Sequence, residues 1–309
     1  MELRQLRYFL AVAQHKNFTR AAQAIHLSQP SLSIQIQALE EELGAPLFHR
    51  LGRQVALTEA GMVLYDYARR ALRDLDQAKD AIREINGAER GQLTIGVLST
   101  VNTYLIPPVV ARFRHQFPHL TIHIYAQPSR AIEQDLLDNQ LDLGLCLLPT
   151  SSPRLITKRL FNETLCLVGP PTARPLGTRA KMSTLANLPL VLMPTDYCLR
   201  SMIETSCAHV GIRPNVSIEM TAPEGILEVV ARGAGWTILP ELYVRHANKG
   251  MSLQVVRLYD PVPRHAVGFA SLAHRYLGPS AHAFMALCHT ALEDIQANRD
   301  FPAAESCAS

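Results

Sequence analysis

The sequence predicts an α/β chain in two parts: a small helical head closed by a β-hairpin and a larger region of alternating strands and helices, joined by one long helix. Three observations predict it. Apolar residues recur at three and four through the first 43 positions; an unbroken helical pattern then runs from about 59 to 85; and beyond 91 short apolar runs alternate with helix-like stretches.

Taken in order, Leu3, Leu6, Leu10 and Ala13 form the buried stripe of a first helix. Asn17 is placed to cap a second, from 18 to about 25, whose small Ala21, Ala22 and Ala24 admit a neighbouring helix closely. A turn at 26–28 leads to Ser28, an N-cap, with Pro30 in the first turn of a third helix that runs from about 29 to 43 before Gly44 stops it. Leu32, Ile36, Leu39 and Leu43 are its core stripe. Between 45 and 57, Leu47-Phe48, a Gly52-Arg53 turn and Val55-Ala56-Leu57 read as a small wing. Thr58 caps the long helix, on which Ala60, Leu64, Tyr67, Ala71, Leu75, Ala78, Ile82 and Ile85 make a seam that needs a second chain to cover it. Gly87 and Gly91 mark a hinge. Strand candidates follow at 93–98, 120–124, 143–147, 165–169, 190–193, 217–220, 236–239 and 266–270, and their βαβ rhythm implies parallel sheets flanked by helices. The stretch 298–309 is polar, lacks a stripe and reads as a frayed end.

With 309 residues, the chain is long enough for two or three cores, and 48% hydrophobic against 18% charged residues excludes extended disorder. A net charge of +3 is too small for indiscriminate polyanion binding, so any nucleic-acid affinity must come from local placement of Arg and Lys. The N-terminus lacks a signal-peptide core, and no run of about 18 apolar residues occurs, which predicts a cytoplasmic protein without membrane association. Cys146, Cys166, Cys198, Cys207, Cys288 and Cys307 contain no C-x-x-C pair, so neither zinc nor a structural disulfide is expected. His115, His119 and His123 are spaced by fours, but Phe117-Pro118 breaks the helix such a metal site would need. There is no G-x-S-x-G elbow, P-loop or dinucleotide fingerprint, so neither an enzyme nor a cofactor is expected.

The order of elements in the head is that of a winged helix-turn-helix reading double-stranded DNA. The third helix presents Ser28, Gln29, Pro30, Ser31 and Ser33 at its start, with Gln35 further along, where short hydroxyls and amides reach base edges or phosphates. Thr19 and Arg20 on the bracing helix, and Arg50 and Arg53 in the wing, are suited to the backbone or minor groove.

The run FTRAAQAIHLSQPSLSIQIQALEEELGAPLFHR, residues 18–50, resembles the DNA-binding signature of LysR-type transcriptional regulators. The likeness continues through LTEAG at 57–61 and GQLTIG at 91–96 to GAGWTILP at 233–240, nearly the whole chain. It implies a winged helix-turn-helix at 1–58, a linker and dimerisation helix with hinge at 59–90, and a two-lobed periplasmic-binding-protein-like effector domain at 91–309. Lobe I would be about 91–162 with 265–297, and lobe II about 163–264. It further implies a dimer or homotetramer on an inverted-repeat promoter site, a small-molecule inducer between the lobes, and RNA polymerase as a partner.

Ser99 and Thr100 follow the first strand of the larger region and begin a helix, where hydroxyls and free N–H groups suit a small anion. The resemblance adds Pro128, Ser129, Cys146, Thr195 and Trp236 to this effector site. A second reading rests on Cys198-Leu199-Arg200 with Cys207 nine residues on, a spacing similar to that of OxyR-type peroxide sensors; Arg200 and a helix start would then stabilise a Cys198 thiolate. Nine helical residues span about 13.5 Å, whereas a disulfide needs Cα atoms within about 7 Å, so such a switch must unravel the helix. The chain departs from those sensors in carrying Tyr197 for a histidine and Pro128-Ser129 for a threonine-histidine pair. Regulators of the cyanate-operon type share the broad likeness and the cysteine at 207. A solute-binding module without DNA function would leave residues 1–90 unexplained.

Overall fold

A computed structural model describes residues 1–51, 54–85, 91–248 and 250–297. Arg53, the expected hinge residue Gly87, and the tail with Cys307 lie outside the described residues. The chain divides into two compact units, Met1–Arg83 and Glu84–Ser309.

In the first unit, α1 (Leu3–His15), α2 (Phe18–Ala24) and α3 (Gln29–Leu43) precede a hairpin of β1 (Phe48–Leu51) and β2 (Gln54–Leu57), then α4 (Glu59–Ile85). Local chemistry sets these boundaries. The Asn17 side chain accepts from the Arg20 N–H at 3.0 Å, Ser28 Oγ accepts from the Ser31 N–H at 3.2 Å, and Gly44 closes α3 in the left-handed region. Leu6, Phe9, Val12, Leu32, Ile36 and Leu39 form the core with Leu47 and Phe48 from the hairpin. One carboxylate ties the hairpin to α3: Glu40 Oε1 accepts from the N–H groups of Leu47 at 2.7 Å and Phe48 at 3.3 Å. The start of α4 lies so close to the hairpin that a β-carbon at Gly61 would sit 2.1 Å from the Leu47 carbonyl oxygen, which is why glycine ends the LTEAG run. Thr58 completes the junction, accepting from the Gly61 N–H at 3.0 Å and donating to the Pro46 carbonyl at 2.6 Å.

The long helix departs from the single seam expected of it. Ala68 and Leu72, which the seam omits, are buried in the head core, and Ala60 and Leu64 are half-buried beside them. Tyr67, Ala71, Leu75 and Ile82 remain exposed, together with Val63. The apolar surface of α4 is therefore wider than one seam, and one edge of it is spent within the head.

The second unit runs β3 (Gln92–Leu98), α5 (Ser99–Tyr104), α6 (Ile106–Gln116), β4 (Thr121–Gln127), α7 (Ser129–Leu137), β5 (Leu143–Leu148), β6 (Leu155–Gly169), β7 (Arg179–Lys181) and β8 (Leu190–Leu192). It continues with α8 (Cys198–His209), β9 (Val216–Glu219), α9 (Pro223–Ala231), β10 (Thr237–Pro240), α10 (Glu241–Ala247), β11 (Gln254–Tyr259), β12 (Arg264–Leu272) and α11 (Pro279–Ala297). The expected parallel sheets are corrected to one mixed sheet in the order β4-β3-β5-β12-β6-β11-β7, with β10 also paired to β6, beside a separate parallel pair β8-β9. Only the β3-β4, β3-β5 and β11-β7 pairings in the large sheet are parallel. The cause is β6, a strand of 15 residues. Its first part, up to Thr164, pairs antiparallel with β12, and its last part, 165–169, pairs antiparallel with β10 and β11. One continuous strand thus joins the two halves of the unit.

Candidate functional site

The head places the start of α3 at its surface. Gln29, Pro30 and Ser31 are exposed, whereas Ser33 and Gln35 are half-buried. Gln29 Nε2 donates to Ser33 Oγ at 2.9 Å, and the Ser28 and Ser31 hydroxyls are 2.7 Å apart, so this helix start carries two internally paired sets of polar side chains. Thr19 and Arg20 are exposed on α2, and Arg50 lies on β1 opposite Val55. One residue escaped the sequence reading. Ile34 is 63% exposed, one helical turn from Ser31, on the same outward face as Gln37. An exposed β-branched residue in an otherwise polar helix face is suited to the methyl group of thymine. The signal available was its place outside the Leu32-Ile36-Leu39 stripe.

In the second unit a cavity of about 50 Å³ lies at the carboxyl ends of β3 and β4, lined by Ser99, Thr100, Gln127, Pro128, Ser129, Tyr197, Cys198 and His265 with apolar neighbours such as Met193 and Pro240. Three helices, α5, α7 and α8, begin at its wall, with Ser99, Ser129 and Cys198 as their first residues. Five of the expected positions are therefore brought together: Ser99, Thr100, Pro128, Ser129 and Cys198.

Four others, Trp236, Thr195, Cys146 and Cys207, are not. Trp236 is 5% exposed and packs flat on Gly169, where a β-carbon would lie 2.2 Å from the indole ring. Its backbone joins β8, through Trp236 N–H to Pro189 O and Val191 N–H to Trp236 O, both at 2.8 Å. Gly235 has φ +151° and a would-be β-carbon 2.7 Å from the Pro189 carbonyl, so the GAGW run serves this close approach. Thr195 is exposed and does not line the cavity, and Cys146 is fully buried behind it near Ser129.

Arg200 also corrects an expectation. Its guanidinium donates to Glu204 at 2.7 Å, to Glu219 at 2.9 Å and to the Met193 carbonyl at 2.9 Å, so it is committed to carboxylates and does not line the cavity. Cys198 itself is the first residue of α8. Cys207 lies on the same helix, fully buried, with its thiol pushed up to about 11 by burial and by Glu204. Burial, then Glu133 and Cys198, holds the Cys146 thiol up at about 12, and burial raises Cys166 and Cys288 further. Among the described cysteines only Cys198 is partly open and on the cavity wall.

Two cavity residues were absent from the sequence reading. His265 on β12 stands directly across the ladder from Glu163 on β6, and His265 Nε2 lies 3.0 Å from Glu163 Oε2. The other carboxylate oxygen accepts from Tyr104 Oη–H at 2.9 Å, and burial followed by Glu163 keeps that phenol protonated well above its ordinary range. Gln127, the last residue of β4, donates Nε2 to Asp135 at 2.9 Å. Among the described residues, no group of three or more His, Cys, Asp or Glu is placed to hold a metal ion, and no helix is long and apolar enough to cross a membrane.

Comparison with known proteins now decides the family. The model described as "Bacterial regulatory helix-turn-helix protein, lysR family" matches residues 3–62, and "LysR substrate binding domain" matches residues 86–293. The chain is a LysR-family transcriptional regulator. It is 33% identical over 270 residues to the DNA-binding transcriptional dual regulator OxyR of Escherichia coli (strain K12), covering 87% of this chain and 88% of that protein. A hydrogen peroxide-bound OxyR mutant of Corynebacterium glutamicum is 25% identical with a TM-score of 0.61, covering 96% of each chain. Full-length CbnR complexed with its target DNA shares the fold at 24% identity and a TM-score of 0.71, covering 94% of this chain and 100% of that one. The regulator thus joins a DNA-binding head to an effector-binding domain.

Proposed function

We propose that this LysR regulator senses hydrogen peroxide, or a molecule as small, at Cys198. The observation that carries the reading is the position of Cys198: the first residue of α8, on the wall of a cavity of about 50 Å³, with Cys207 nine residues along the same helix. The OxyR relatives, named for response to hydrogen peroxide or bound to it, support the same reading. In the reaction, Cys198 sulfur attacks one peroxide oxygen, the O–O bond breaks, and the leaving hydroxide takes the thiol proton to depart as water. Cys198 becomes a sulfenic acid as the peroxide is reduced. A second condensation with the Cys207 thiol would release another water and form a disulfide, which requires α8 to unravel over about 13.5 Å of helix.

The anion reading is supported by the three helix starts on the cavity wall, but among the described residues no Lys or Arg lines it, and Arg200 is engaged elsewhere. In either case the head binds promoter DNA through the start of α3 with Thr19, Arg20, Arg50 and Arg53. A second copy covers the outer strip of α4 to give a dimer, and pairs of dimers give a tetramer that reads an inverted repeat and meets RNA polymerase. The test is Cys198→Ser. Footprinting and run-off transcription should show that the variant binds its operator as the parent does and no longer responds to peroxide. A retained response would remove Cys198 as the sensor, and a response to small anions alone would restore the anion reading.

A further inference from the structure

Two polar atoms in the cavity residues are buried without any hydrogen-bond partner: Gln127 Oε1 and His265 Nδ1. Burying such an atom unpaired is unfavourable, so a pair of them among the residues of one small cavity is an observation about what the cavity receives. Their chemistry is fixed by what holds them. Gln127 Nε2 donates to the Asp135 carboxylate, which leaves the amide oxygen, an acceptor, unpaired. The His265 side chain is 5% exposed, its Nε2 faces the 1%-exposed Glu163, and Glu163 already accepts from Tyr104. A neutral imidazole that gives its Nε2–H to that carboxylate has its lone pair on Nδ1.

We infer that Gln127 and His265 are the specificity-determining pair of the cavity, two acceptors that take a small neutral ligand carrying two O–H or N–H donors and orient it beside Cys198. This deepens, and rests on, the peroxide reading above. Hydrogen peroxide has one O–H at each end, one donor for each acceptor. An organic hydroperoxide has a single O–H donor and can satisfy only one of the two acceptors. A carboxylate or similar anion brings only acceptors and would face two more.

The pair acts by contact with the ligand, so its effect should appear in the reaction of peroxide with Cys198 and not in the intrinsic accessibility of the thiol. His265→Gln keeps an N–H for Glu163 while removing the acceptor at the Nδ1 position, and Gln127→Met keeps the chain length while removing the amide. In the full-length protein, sulfenic acid formation at Cys198 is trapped and followed by mass spectrometry against time for hydrogen peroxide and tert-butyl hydroperoxide. Iodoacetamide labelling of Cys198 and thermal melting are run alongside.

The expected result is that each variant slows the hydrogen peroxide reaction about tenfold, the order of one lost buried hydrogen bond. Iodoacetamide labelling should stay within about twofold, and the preference for hydrogen peroxide over the organic hydroperoxide should narrow accordingly. If the parent reacts and both variants match its rate and preference, the two acceptors meet only solvent and the inference is overturned while the peroxide reading stands. A parent whose Cys198 does not react with peroxide overturns both.

Discussion

At the scale of single residues, the outward face of α3 divides side chains by what they can read. Gln29 and Ile34 are exposed, and Gln29 Nε2 is held by Ser33 Oγ at 2.9 Å, which presets its amide before DNA arrives. Base-edge contacts discriminate sequence, whereas phosphate contacts do not. Gln29→Ala should therefore cost about 1–3 kcal/mol on operator DNA, and Ile34→Ala a smaller amount at a thymine step, with binding to a scrambled duplex nearly unchanged. Fluorescence anisotropy on both duplexes at one salt concentration measures this, and equal losses on the two would reassign the side chains to backbone positioning. The residues of this face were legible because capping and stripe position are local: Ser28 caps from its own neighbourhood, and Leu32, Ile36 and Leu39 fix which side is inward. His265 was not legible for the opposite reason. Its role comes from a ladder partner 102 residues away, Glu163, and from a buried phenol further still along the chain.

At the scale of elements, α4 and β6 show how one stretch serves two neighbours. Period alone assigned α4 a single seam, because periodicity tells that a stripe is apolar but not which body covers it. In the structure Leu72 is 7% exposed in the head core, while Leu75, one turn on, is 38% exposed on the outer strip. The two leucines therefore predict different failures. Leu72→Ala should destabilise the head by about 2–5 kcal/mol, read as a lower melting temperature. Leu75→Asp should leave the head folded, seen in its circular dichroism, and shift the sedimenting species from dimer or tetramer to monomer, with operator affinity lost alongside. A Leu75→Asp protein that sediments as the parent does would mean that another surface joins the chains. For β6 the sequence reading found 165–169, an apolar run, and missed 155–164, where Lys158, Arg159 and Glu163 interrupt it. A strand with charged positions between its apolar ones carries no continuous signal, and the antiparallel partner that gives it meaning, β12, begins about a hundred residues later.

At the scale of the molecule, the two units differ in the protons they hold. All five described cysteines belong to the second unit, and burial holds the thiols of Cys146, Cys166, Cys207 and Cys288 in their protonated form, with Cys207 raised to about 11 and Cys146 to about 12. The buried phenols of Tyr104 and Tyr243 in the same unit are raised as well, again chiefly by burial. An acid whose folded pKa lies above its unfolded value binds its proton more tightly when folded. Its contribution to stability is complete below the unfolded pKa and disappears as pH climbs through the folded one. The unfolded thiols ionise near 9, so the loss begins there and continues through 11 and 12. The effector unit should thus melt at progressively lower temperature as pH is raised from 8 to 10.5. The head has no cysteine and should move less. Calorimetry of the full chain at the two values separates the transitions, and Cys207→Ala should flatten the effector unit's dependence without touching the head's. If the two transitions fall together and the variant leaves both slopes unchanged, the buried thiols do not set the alkaline limit of this fold.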